Sequence, residues 1–259
     1  MKKSITLVLI YFLMQALAAL LLGLAGMLWR YFTQHHWAFM LGTDGLLVPT
    51  LILGFILMTI FLWKVGYLKP THELWSPVLP SYWGWMALLA ISCLFMVYCL
   101  SDWLNFLPDW LSDDFDAMES GFWGIVAIAV LGPIVEELLF RGAITRELLR
   151  RYTPSQAILA SGIIFGVFHI NPAQVIPAML IGFLLAWLYY RTHSLVPGIL
   201  IHVLNNGFSV WLNVQFPEEI TLNQLLSTPI ELGCLALAIV VSAVAFKRMC
   251  SYPMPKGSN

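Results

Sequence analysis

The sequence predicts an all-α fold, a polytopic bundle of about eight transmembrane helices with both termini on the cytoplasmic side. Of its 259 residues 60% are apolar and 10% charged, whereas an ordinary soluble domain carries ~25% charged residues. The mean hydropathy is +0.82. The apolar residues are gathered into runs of about 20, the length that crosses hydrocarbon when every backbone group is satisfied within a helix. The chain reads as one integral membrane domain over residues 1–259.

Eight runs follow one another at 5–29, 45–63, 82–100, 122–140, 154–170, 172–190, 197–214 and 229–246. The first has a second reading, because Lys2 and Lys3 precede it and Ala16-Leu17-Ala18 resembles a signal-peptide cleavage site. Its apolar sequence continues to Trp29, well past the ~7 to 15 residues of a signal peptide's apolar region, so a retained helix is preferred. The fourth run continues past Arg146 to Tyr152 at the inner interface. The longest connection, 101–120, mixes Trp103, Phe106 and Trp110 with acids and can lie along the outer surface.

Orientation follows from the basic residues. With the N-terminus inside, Lys2, Lys3, Lys64, Lys69, Arg141, Arg146, Arg150, Arg151, Arg191, Lys247, Arg248 and Lys256 fall on or near the cytoplasmic side, and only Arg30 outside. The acids Asp102, Asp109, Asp113, Asp114, Asp116, Glu119, Glu218 and Glu219 gather opposite. Short loops and this asymmetry suit a bacterial inner membrane. A net charge of −1 excludes the basic excess of a nucleic-acid binder. Cys93, Cys99, Cys234 and Cys250 show no CxxC spacing and receive no redox or metal role.

Charge inside a membrane costs about 2.5 to 3.5 kcal/mol on insertion scales, so each instance needs a reason. Three stand out: Glu136-Glu137 at the end of the fourth run, His169 at the end of the fifth, and His202 with Asn205 and Asn206 in the seventh. Residues four apart share a helix face, so Glu137 faces Arg141 while Glu136 looks across the bundle. Pro133 removes a backbone bond just before them. Gly162 and Gly166 form a GxxxG face for close helix approach. His202, Asn206, Ser209 and Asn213 make a polar stripe that has to line a cavity or meet other polar groups.

Counting ~1.5 Å per residue puts Glu136 and His202 at similar depth but His169 some 22 Å in, nearer the far side, unless its helix protrudes or tilts. Two glutamates, two histidines and an asparagine in a buried cavity are the ingredients of water activation and oxyanion stabilisation. No Ser or Cys sits in these clusters as a nucleophile and GxSxG is absent, which disfavours covalent acyl chemistry; HExxH is absent too.

The ordered patterns Glu136-Glu137-x-x-x-Arg141, Phe165-x-x-x-His169 and His202-x-x-x-Asn206 resemble the three motifs of the CAAX protease and bacteriocin-processing (CPBP, or Abi) intramembrane proteases. The likeness covers about 121–213; the first three runs and the last carry no signature. It implies an eight-helix membrane endopeptidase that hydrolyses a peptide bond of a membrane-associated protein or peptide. Carried over, Glu136 and His169 activate water, His202 and Asn206 stabilise the oxyanion, and Glu137, Arg141 and Phe165 support them from behind. The family is described as metalloproteases, so the resemblance leaves a zinc option open, with Glu136 or Glu137 beside His169 and His202; a direct Glu and His mechanism is preferred. Two other classes stand beside it: a non-catalytic scaffold or bacteriocin-immunity protein of the same fold, and a small transporter, which the lack of an internal repeat disfavours.

Overall fold

The computed structural model describes residues 1–35, 45–216 and 227–253. The regular elements among these residues are ten helices: α1 (Lys2–Gln34), α2 (Leu47–Val65), a single turn α3 (His72–Trp75), α4 (Pro80–Trp103), α5 (Ser112–Glu119), α6 (Phe122–Leu149), α7 (Pro154–Phe168), α8 (Pro172–Thr192), α9 (Val196–Gln215) and α10 (Thr228–Ser251). Each of the eight apolar runs becomes one helix. Six of these, α1, α2, α4, α6, α8 and α10, are long and apolar enough to cross a membrane by themselves. The other two fall short for physical reasons. α7 has only 15 residues, roughly 22 Å, and α9 spends its length on the polar stripe that begins at His202. Glu218, Glu219 and Lys256, used above for orientation, lie outside the described residues.

Pro opens α4, α7, α8, α9 and α10 within their first two positions, where its missing N–H costs nothing. Thr153 adds a capping box with Gln156 to α7. α5 realises the amphipathic outer connection, with Trp103, Phe106 and Trp110 exposed beside it.

Two packed groups make up the bundle. In the first, α1, α2, α6 and α7 enclose Tyr11, Phe55, Met58, Leu139, Phe140, Phe165 and Phe168. In the second, α4, α8 and α10 meet around Met86, Leu185, Leu188 and Met249. α7 and α8 pack closely. Gly162 and Gly166 of the GxxxG face meet Phe183 and Met179, and a Cβ on Gly182 would stand 3.0 Å from Gly162 Cα.

One end of the bundle is tied together by polar contacts. Leu195 N–H donates to Leu74 O at 2.8 Å, Arg191 to Met249 O at 2.9 Å and Tyr252 O at 2.7 Å, and Lys3 pairs with Glu147 at 3.4 Å. Lys3 and Met249 therefore share an end, as an even number of crossings requires.

Candidate active site

α6 is not a uniform helix. Wide π turns at Ala127–Leu131 and Phe140–Thr145 flank the regular segment Gly132–Leu139, which begins with Pro133 and holds both glutamates. Pro133 cannot donate to an earlier carbonyl, and the ladder accommodates it by widening the preceding turn: Gly132 N–H reaches Ala127 O.

Glu137 points into the centre of the protein and is fully buried, as is Arg141. Arg141 Nη1 donates to Glu137 Oε1 at 2.7 Å and Nη2 to Gly182 O at 3.1 Å, while its guanidinium lies 4.6 Å from the Phe165 ring centre. The i,i+4 pair expected from spacing is formed, but Glu137 does more than balance it. His202 Nδ1 lies 3.0 Å from the same Oε1. An ionised carboxylate only accepts, so Nδ1 carries the hydrogen and the imidazole is held by Glu137. Nε2 then faces Glu136, whose Oε2 stands 3.7 Å away. That oxygen is buried and has no hydrogen-bond partner. Glu136 thus looks across the bundle to α9, as its position on α6 required.

His169 closes α7. Its Nδ1 is 2.8 Å from Phe165 O; a carbonyl cannot donate, so Nδ1–H does, and Nε2 presents its lone pair in the neutral ring. Phe165 is edge-on to both imidazoles, at 4.9 Å from His169 and 5.6 Å from His202. Glu136, His202 and Arg141 all lie within electrostatic range of His169.

The depth mismatch for His169 disappears through one contact. Thr145 and Ser161 hydroxyls are 2.7 Å apart in the buried α6–α7 interface. Glu136 lies nine residues outward from Thr145 on α6, and His169 eight residues outward from Ser161 on α7, about 13 and 12 Å respectively. The two therefore stand at similar heights on their helices.

Asn206 donates Nδ2–H to Ile128 O at 3.2 Å in the widened turn of α6, and its Oδ1 accepts from Asn205 at 3.1 Å. Farther along the stripe, Asn213 donates to Glu119 Oε1 at 3.2 Å; burial pushes the Glu119 carboxyl up, against the lowering effect of that bond. Ser209 is exposed.

Three further features carried no motif. A Cβ on Gly198 would stand 2.7 Å from Glu137 Oε2, so α9 can approach the carboxylate this closely only at a glycine. Asn171, buried after His169, donates to Asp109 at 2.8 Å and accepts from Trp110 N–H at 3.0 Å, which clamps the outer connection to the His169 turn. Between them Ile170 holds φ 63°, a left-handed conformation that a β-branched residue adopts only under constraint. The third is Tyr11 with Gln15 on α1, taken up below.

A zinc site needs three or more converging ligands. Among the described residues no group of three His, Cys, Asp or Glu forms one, and Glu137 Oε1 is already shared between Arg141 and His202. Glu136, His169 and His202 are the residues that would supply the ligands of a metal ion, and no step below passes through one.

Comparison with known proteins follows this geometry. Residues 118–208, which contain every motif residue, match the family described as Type II CAAX prenyl endopeptidase Rce1-like. The chain is similar to the putative membrane peptidase YdiL of Bacillus subtilis, at 32% identity over 91 residues covering 35% of this chain and 37% of that protein. It is also similar to the membrane-embedded CAAX protease MroQ of Staphylococcus aureus, at 31% identity covering 37% and 41%. A third relative, the UPF0177 protein YxdF of Lactococcus lactis, is 24% identical over 61% of this chain and 90% of its own length. The matches to the peptidase and the protease therefore span well under half of those proteins. No solved structure matches.

Proposed function

The chain belongs to the CAAX protease (CPBP) family through its segment 118–208, and on that premise we propose that it is an intramembrane endopeptidase. Its substrate is a membrane-associated protein or peptide, and its nucleophile is a water activated by Glu136 and His169. One observation carries this reading: the His202 imidazole stands between two glutamates of one helix, 3.0 Å from Glu137 and 3.7 Å from a Glu136 oxygen that has no partner. An unpaired buried carboxylate oxygen is an acceptor waiting for a donor, and water supplies one.

In this reading Glu136 Oε2 and His169 Nε2 accept the two hydrogens of the water, and the proton passes to one of them as oxygen attacks the scissile carbonyl carbon. The tetrahedral oxyanion is met by Nε2–H of His202, which for this role enters the reaction already protonated from solvent, because Nδ1–H is given to Glu137. The remaining N–H of Asn206 completes the hole. The captured proton then goes to the leaving amine as the C–N bond breaks. Arg141 and Phe165 hold Glu137 and the two imidazoles in place. A bacterial inner membrane is the proposed setting.

The test is turnover of a membrane-tethered peptide library by purified wild type and Glu136→Gln. Cleavage by the wild type alone supports the protease. Cleavage by both removes Glu136 from the chemistry, and cleavage by neither favours the binding scaffold or immunity protein of the same fold.

A further inference from the structure

α1 lies outside the family segment, yet one face of it reaches the site. Tyr11 and Gln15 are four residues apart and share that face. The Tyr11 ring is buried edge-on against Phe168 at 4.8 Å, and Phe168 is 5.6 Å from the His169 ring. Gln15 stands beside the Tyr11 phenol, which is in electrostatic range of Glu136. On its other side the Gln15 amide covers Gly54 of α2, where any Cβ would collide with Oε1. The neighbouring Phe55 packs on Gly132, whose Cβ would lie 3.4 Å from its ring, and Gly132 is one turn from Glu136 on the same face. These contacts bring Gln15 to the level of Gly132, one turn from Glu136.

Apart from the Tyr11 phenol beside it, Gln15 Nε2 is buried with no hydrogen-bond partner, and Glu136 Oε2 is buried with none. A donor and an acceptor left unmade about one turn apart are complementary to a carbonyl and a water. We propose that Gln15 is a substrate-binding residue whose Nε2 donates to a backbone carbonyl of the bound peptide beside the scissile bond, with Tyr11 holding the amide in that pose. The assignment rests on the protease reading above and adds α1 to the site. Its ligand class is an extended peptide backbone rather than a particular side chain.

Gln15→Met keeps an unbranched chain of similar length over Gly54 and deletes the donor. For a tethered peptide we expect KM to rise about 3- to 10-fold, with kcat and thermal unfolding little changed. Gly54→Ala, which dislodges the Gln15 amide, should raise KM in the same way. A peptide with an ester in place of the amide next to the cut has a weaker carbonyl acceptor; it should be penalised in the wild type and not in Gln15→Met. Wild-type KM in both variants, or a loss confined to kcat, overturns the proposal. Photo-crosslinking of the same peptide to Glu136→Gln, with and without Gln15→Met, reads binding without turnover. Equal labelling overturns the proposal even where cleavage is absent, whereas cleavage retained by Glu136→Gln sinks the protease reading instead.

Discussion

Glu137 Oε1 and His202 Nδ1 are 3.0 Å apart across the α6–α9 interface, and this bond decides what each of the two adjacent glutamates can do. It binds Glu137 to the protein through two donors, Arg141 and His202, and turns the other nitrogen of the imidazole toward Glu136. Each glutamate keeps one buried oxygen without a hydrogen-bond partner, but that of Glu137 is covered by Gly198, whereas that of Glu136 faces His202.

Glu136→Gln should lower turnover by at least about 100-fold, the lower end of what general-base catalysis contributes. The isostere opens no cavity, so detergent-solubilised yield and unfolding temperature should match the wild type. Cleavage assays beside thermal unfolding check both halves.

Arg141→Ala should unfold the protein rather than merely slow it. It leaves Glu137 as a buried charge without its principal partner, a change that costs about 3 to 5 kcal/mol. Thermal unfolding of the purified protein reads this directly. Arg141→Lys restores the charge but not both hydrogen bonds, to Glu137 and to Gly182 O, and should recover only part of the loss.

Gly198→Ala should act on chemistry through position. The added methyl at 2.7 Å from Glu137 Oε2 forces α9 or the carboxylate to move, and His202 moves with either. The expected result is a fall in kcat with KM nearly unchanged, measured on the same tethered peptide.

Ile170→Gly should raise thermal stability. Residue 170 is exposed and holds φ 63°, so glycine removes a strain of order 1 kcal/mol and sacrifices little burial. Asn171→Ala removes the clamp that enforces this turn and should lower kcat by loosening His169; comparison of the two variants separates strain from clamping.

Chelation should leave cleavage unchanged if Glu136 and His169 activate the water directly, as proposed. Activity lost to chelator and restored by zinc would show that the histidines and Glu136 rearrange around a metal.

The sequence by itself determined the helical membrane architecture and the cast of the site. Apolar runs must become helices because lipid satisfies no backbone group, and Glu136, Glu137, His169, His202 and Asn206 were conspicuous because polarity is expensive there. The Glu137–Arg141 pair was legible too, since both partners lie on one helix. Only the tertiary structure decided the contacts between helices. The Thr145–Ser161 bond sets the sliding register of α6 against α7 and brings His169 level with Glu136, and no residue count along a single helix contains that offset. The need for a glycine at 198, the Asn171–Asp109 clamp and the approach of Gln15 to the site from α1 were equally invisible. Each depends on what a neighbouring helix presents at that height, whereas helical periodicity reports only which residues share a face.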